Sequence, residues 1–347
     1  MTVGLEEQAA LDFVLALRRR WANTVYPHLR EEFEAAGGDS ALSPAALAPL
    51  VHALPSFGWF SWLERGSQKM LWRAVGDAIG NGQASGVAPP KAARAQTDPS
   101  LPLPQWYTDW DIHLQPGGVW SSRSAALVYE LGAKLVMMGD NDDYKFHRLF
   151  TETALPARSY RRILDLGCGF GKSTWPLKAA FPEAEVIGVD LSAPCLELAA
   201  ERAYARGLQI RFRQADACAT GLGSGEFDLV TSTMLVHELP VEMLPRLFAE
   251  SARLLPPGGA LAFLDFQKTG EGFRDLSMAE HSVRNNEPFM APMMAQDLAR
   301  MAEDAGLKRA HWTAFDERAA GDLRVARWPA RSEWHFPWAV LHAEKAL

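Results

Sequence analysis

The sequence predicts an α/β chain: an all-helical N-terminal region followed by a seven-stranded, mostly parallel sheet whose last strand runs antiparallel. Three observations point there. Through Leu5–Ile79 apolar residues recur at threes and fours with charges between them. From Arg161 onward short apolar runs alternate with helical patterns, the order of parallel βαβ units. Within Arg161–Thr174 a strand runs into three glycines at alternate positions, Gly167, Gly169 and Gly171, and then into a helix. Such a turn lets backbone approach a ligand closely at a helix N-terminus.

Taken in order, Leu5–Gly37 is expected to be helical, with Leu11, Val14, Leu15, Leu17, Trp21 and Val25 on one face and Gly37-Gly38 as the stop. Ser43-Pro44 caps a second helix, Ser43–Leu54, and Phe57–Ile79 is a third, rich in aromatics. Their apolar faces need burial against the rest of the chain or in a homodimer. Asn81–Pro104, rich in Gly, Ala, Ser and Pro, reads as a loop. Gln105–Trp120 gathers Trp106, Tyr107, Trp110 and Trp120 around His113, with Asp109 and Asp111. Polar groups among aromatics outside a regular element suit a ligand pocket, and equally suit glue between two halves. Ser121–Met138 is an amphipathic helix, and charged Asp140–Leu155 leads into the glycine-bearing strand. This divides the chain into a helical region, 1–140, acting as cap or dimerisation unit, and a sheet region, 141–347.

In the sheet region strands are expected at Ile163–Leu166, Glu185–Val189, Ile210–Gln214, Phe227–Ser232, Ala260–Phe266, Leu307–Phe315 and Trp334–Ala343. Helices fill Ser173–Phe181, Ala193–Arg206, Pro240–Leu255 and Pro292–Ala305. Only the Glu317–Ser332 loop separates the last two strands, hence a hairpin-like, antiparallel end.

Composition narrows the function classes. The 347 residues, 48% hydrophobic and 22% charged, are those of a globular protein. A net charge of −7 argues against a general nucleic-acid partner. No apolar run approaches the roughly 20 residues of a membrane span. Cys168, Cys195 and Cys218 are too few and scattered for a disulfide framework or a zinc site, so no metal is expected; they suit a reducing cytoplasm.

The glycine spacing discriminates between nucleotide ligands. Dinucleotide sites use Gly-x-Gly-x-x-Gly with a pyrophosphate on the helix dipole. Here the spacing is Gly-x-Gly-x-Gly, and Asp165 stands two positions before the first glycine. A carboxylate there would repel a pyrophosphate and suit an ammonium, which favours a nucleoside carrying an amino-acid head.

Leu164-Asp165-Leu166-Gly167-Cys168-Gly169-Phe170-Gly171 resembles the first motif of class I S-adenosylmethionine-dependent methyltransferases on a Rossmann-like sheet. Further landmarks resemble that family in order over Arg161–Phe266. Asp190 ends the second strand 19 residues past Gly171. The resemblance implies that Asp190 holds the ribose hydroxyls and that Leu191 packs on adenine, since a carboxylate at a strand tip accepts two bonds from a diol. It likewise implies Asp216 and the Ala217 amide at the adenine amino group, and Thr233 at the methionine end. Leu254–Gly259 resembles the turn before the fifth strand. S-adenosylmethionine is thus the expected cofactor. A helical region ahead of this domain is similar in plan to small-molecule O-, N- and S-methyltransferases.

For chemistry, His237 and Glu238 follow the fourth strand, where His237 is a candidate general base or else a structural histidine. Gln267–Met294 is expected to wall the acceptor side with His281, Arg284, Asn286 and Glu287; Arg284 would suit an acceptor carboxylate and Glu287 an amine. Trp106–Trp120 would form the roof. The reading is methyl transfer to a small molecule through an O, N, S or C nucleophile. The alternatives are a nucleic-acid or protein methyltransferase, a cofactor-binding protein without transfer activity, and a nicotinamide dehydrogenase.

Overall fold

The computed structural model describes residues 4–81, 90–139, 142–316, 328 and 330–347. The expected stretches at 82–89, 140–141 and most of the Glu317–Ser332 loop lie outside them.

The N-terminal region is helical throughout: α1 (Leu5–Arg20), α2 (Tyr26–Ala35), α3 (Pro44–His52), α4 (Phe57–Asn81), the short α5 (Gln105–Thr108) and α6 (Arg123–Val136). A π-helical turn, Trp21–Val25, joins α1 to α2. Pro27 lies in the first turn of α2. Its missing N–H removes a ladder bond, and the wider turn absorbs that loss without a break. The turn also pushes Trp21 inward, where it stacks on Phe60 at 5.1 Å and donates its Nε1 hydrogen to the Phe60 carbonyl. Ser43 and Ser122 cap α3 and α6 by accepting from Ala46 N and Ala125 N.

After α7 (Lys145–Thr153) the chain alternates strand and helix: β1 (Arg162–Leu166), α8 (Thr174–Ala180), β2 (Glu185–Asp190), α9 (Ala193–Ala205), β3 (Arg211–Gln214), β4 (Leu229–Thr233), α10 (Leu244–Leu254) and β5 (Ala260–Phe266). Then come α11 (Gly272–Arg284), α12 (Met290–Met294), α13 (Leu298–Asp304), β6 (Leu307–Ala314) and β7 (Trp338–Lys345). The sheet order is β3-β2-β1-β4-β5-β7-β6. The pairings among β1–β5 are parallel, and β7 runs antiparallel to both β5 and β6. The chain reverses direction across the sheet between β1 and β4, so the crevice at their C-terminal ends is the natural ligand site.

Three differences from the sequence reading have physical reasons. The 267–294 segment, for which no helix was expected before Pro292, carries α11, which buries Phe273, Leu276 and Met278. The polar His281 and Ser282 on the same helix disguised its apolar period. The helix expected at Pro292–Ala305 is split in two, since Asp297 accepts from Arg300 N and starts α13 afresh. β7 begins at Trp338 and not Trp334, just after Pro337, which has no hydrogen to give a ladder.

The helical region does not stand apart from the sheet. Trp21, Tyr26, Leu29, Phe33 and Phe60 share one buried cluster with the strands. Phe13, Trp59 and Trp62 keep an apolar face of α1 and α4 outside. Among the described residues no helix is long and apolar enough to cross a membrane.

Candidate functional site

The glycine turn sits at the tip of β1. The amides of Gly167 and Cys168 both donate to the Val189 carbonyl, fastening the turn to the end of β2. Gly167 has φ +68°, and a Cβ there would come within 2.8 Å of the Leu235 side chain, so only glycine fits. Gly169 N donates to Asp190 Oδ2 at 2.8 Å, and Ser192 N donates to Asp190 Oδ1 at 2.7 Å. Two amides thus fix the Asp190 carboxylate while one lone pair on each oxygen stays available. Burial raises its carboxyl to about 6, held back by those same amides.

These groups border a cavity of about 700 Å³. Gly167, Gly169, Asp190, Leu191, Asp216, Ala217 and Thr233 line it, together with Trp106 and Tyr107. The buried Thr233 Oγ1 has no hydrogen-bond partner. Such an orphan needs a polar group to meet it. The free lone pairs of Asp190 suit a diol and the orphaned Thr233 Oγ1 suits an amino-acid head, so the residues fit S-adenosylmethionine.

Three residues expected here are elsewhere. Asp165 is wholly buried beneath the turn, where its Oδ2 accepts from Ser173 Oγ and Thr174 Oγ1, both at 2.7 Å. It therefore ties down the start of α8 through Oδ2, while the buried Oδ1 has no hydrogen-bond partner among the described residues; burial raises its carboxyl to about 6. Its direction follows from the alternation of side chains along a strand. Cys168 is buried against Gly188, and Gly171 faces Trp175; neither borders the cavity.

A second chamber, of about 670 Å³, adjoins the first. Tyr129, Lys172, Met234 and Glu238 border both. His113 crosses the second chamber as a bridge: Nδ1 lies 3.0 Å from Glu287 Oε1 and Nε2 3.3 Å from Glu238 Oε1. Burial alone would lower its pKa, but the charge of Glu287 and the bond to Glu238 push it up to about 10. Both carboxyls are in turn held below their ordinary range against the opposing effect of burial. His113 has φ +58°, and its carbonyl accepts from Gln68 Nε2 and Trp72 Nε1 of α4. Met234 and Asn286 also have positive φ, so left-handed backbone gathers at this site.

His237 is buried, with Nδ1 2.7 Å from Asp265 Oδ1. Asp265 also accepts from the amides of Val236 and Phe266, each at 2.8 Å. Burial lowers the His237 pKa, and the Asp265 carboxylate more than reverses this. Nδ1 is committed to Asp265, which leaves Nε2 as the ring nitrogen for the chamber that His237 lines. Lys172 is buried as well, with Nζ 3.3 Å from Tyr129 Oη and 3.6 Å from Met234 Sδ; burial lowers its pKa.

His281 and Glu287 line this chamber as expected, whereas Arg284 does not. Arg284 Nε pairs with Glu64 of α4 and Nη1 with Glu280, so it locks the helical region to α11 and cannot hold an acceptor carboxylate. Asn286 donates to the Asp111 carbonyl at 2.9 Å, tying the His113 strap in place without entering the chamber. Trp110 is exposed and Trp120 half-buried outside both cavities. Sequence reasoning missed Arg18, Gln68, Trp72, Tyr129 and Lys172. Arg18 carried a signal: it continues the apolar face of Leu11, Val14 and Trp21, where a charge needs a reason. Among the described residues no group of acids, histidines and cysteines could hold a metal ion.

A family model described as "Methyltransferase domain" matches residues 163–259. The demethylmenaquinone methyltransferase of Thermus thermophilus is 36% identical over 144 residues, 42% of this chain and 63% of that protein. The trans-aconitate 2-methyltransferase of Methylobacterium radiotolerans is 38% identical over 157 residues, 44% of this chain and 56% of that one. The chain thus spans under two thirds of the length of either relative. The solved Haemonchus contortus phosphoethanolamine N-methyltransferase 2 with S-adenosyl-L-methionine superposes with a TM-score of 0.49 and 17% identity, covering 71% of this chain and 61% of that one.

Proposed function

From the premise that residues 163–259 form a methyltransferase domain of the class I, S-adenosylmethionine-dependent kind, we propose that the chain methylates a small molecule in the chamber beside the donor cavity. The observation that carries this is the junction: Tyr129, Lys172, Met234 and Glu238 border both cavities, so a donor in one and an acceptor in the other would meet there. S-adenosylmethionine, when bound, supplies the electrophilic methyl.

The residues around it have separable roles. Asp190 takes the ribose hydroxyls, Leu191 and Ala217 flank adenine, and Asp216 takes its amino group. Thr233 Oγ1 and the Lys172 ammonium, which has no acid partner among the described residues, hold the methionine end. In the chamber His237 acts as general base. Asp265 keeps the proton on Nδ1, so Nε2 accepts the acceptor's proton as transfer proceeds. His113, clamped by Glu238 and Glu287, keeps both acids ionised and fixes the chamber's shape. The α1 and α4 helices close it against water, which helps align acceptor and methyl in line. The −7 net charge and relatives named for small-molecule methylation support a small acceptor over a polymer.

Thermal melting with S-adenosylhomocysteine and with NAD tests the donor assignment. A rise in Tm with the first alone is expected. A rise with NAD alone would contradict it.

A further inference from the structure

Arg18 is a charged chamber residue that the mechanism leaves without a task. It lies on α1, is 4% exposed, and lines the chamber but not the donor cavity. Its Nη1 donates to Gln68 Oε1 at 2.5 Å, while its buried Nε makes no hydrogen bond. A guanidinium offers five donors and is costly to bury without an acid. The acids nearby each hold another side chain, and of their buried oxygens Glu287 Oε2 has no hydrogen-bond partner among the described residues. Glu238 and Glu287 clamp His113, and Asp265 holds His237. Glu64, whose charge acts on Arg18, is paired with His281 and Arg284. Burial lowers the guanidinium pKa to about 10, and the charge of Glu64 offsets this only in part. Around it the chamber presents flat apolar surface from Trp72, Phe266, Phe336 and Trp338.

We infer that Arg18 is a substrate-binding residue, and that the acceptor is an organic acid with a flat, apolar body whose carboxylate docks on the Arg18 fork. Bidentate pairing with a planar carboxylate is what a guanidinium does best. The role of the chamber as acceptor site rests on the function proposed above; the anion site itself does not. The arrangement also explains why a buried cation is retained on an apolar helix face. Its compensation arrives with the ligand.

The test uses the full chain with 2-naphthoate and its neutral isostere 2-naphthamide, each at millimolar concentration, with and without saturating S-adenosylhomocysteine. Naphthoate is expected to raise Tm by several degrees and naphthamide to leave it unchanged. Arg18→Gln should lose the naphthoate rise and keep the S-adenosylhomocysteine rise. Arg18→Met should raise the Tm of the ligand-free protein, because it removes an uncompensated buried charge. Equal effects of the two probes, no effect of either, a naphthoate rise that survives in Arg18→Gln, or failure of both variants to fold would each overturn the inference. Absence of the S-adenosylhomocysteine rise in the unmodified chain would count against the donor site instead, and the naphthoate comparison in ligand-free protein would still decide the role of Arg18.

Discussion

The two cavities are built in different ways. The donor cavity is assembled from the tips of neighbouring parallel strands: the turn after β1, Asp190 at the end of β2, Asp216 beyond β3 and Thr233 at the end of β4. Sheet register alone brings these groups together. The acceptor chamber draws Arg18, Gln68, His113, Tyr129, His237, Glu287 and Trp338 from segments spread along the chain. Only tertiary packing joins them, and buried ion pairs such as Glu64–Arg284 hold the joint.

Substitutions should separate the two. The largest effect is expected for His237→Gln: turnover should fall on the order of 10²–10⁴-fold while S-adenosylhomocysteine binding is unchanged, measured by methyl transfer and by calorimetry. Loss of cofactor binding in that variant would break the division between the cavities. Asp265→Asn should move the pH profile. His237 must be neutral to accept a proton, and Asp265 raises its pKa, so activity should rise with pH; removing that charge should shift the rise to lower pH. An unmoved profile would argue against His237 as the base.

Gly167→Ala sharpens the donor side. The new Cβ meets Leu235 at a positive φ, and urea denaturation should register about 1–3 kcal/mol of lost stability together with weaker S-adenosylhomocysteine binding. The remaining prediction is a pH dependence of stability at the second chamber. His113 has its folded pKa raised to about 10 from an ordinary 6.5. The stability it contributes is fully present below pH 6.5 and is lost as pH rises toward 10. Urea midpoints should fall across that window, and Glu287→Gln should flatten the fall.

The donor cavity was legible because its signals are local. Three glycines at alternate positions and acids at strand ends each follow from one stretch of backbone. The position of Asp165 in the sequence does not say which face of β1 it occupies, and the structure buries it beneath the turn. The chamber was legible only where polar residues stood out from aromatics, as at His113, His281 and Glu287. Arg284 shares that look, yet the pitch of α11 turns it to Glu64. His113 itself joins Glu238 and Glu287 only because left-handed backbone, held by Gln68 and Trp72 of a distant helix, aims its ring. No spacing in the chain encodes that contact.

The separation of the two cavities comes down to one calorimetric comparison, in which S-adenosylhomocysteine is titrated into the unmodified protein, Asp190→Ala and His237→Gln. Asp190→Ala removes two charge-assisted hydrogen bonds and should weaken binding roughly 100-fold or more, while His237→Gln should bind as tightly as the unmodified protein. Equal loss in both variants, or undiminished binding in Asp190→Ala, would contradict a donor site built on the strand tips.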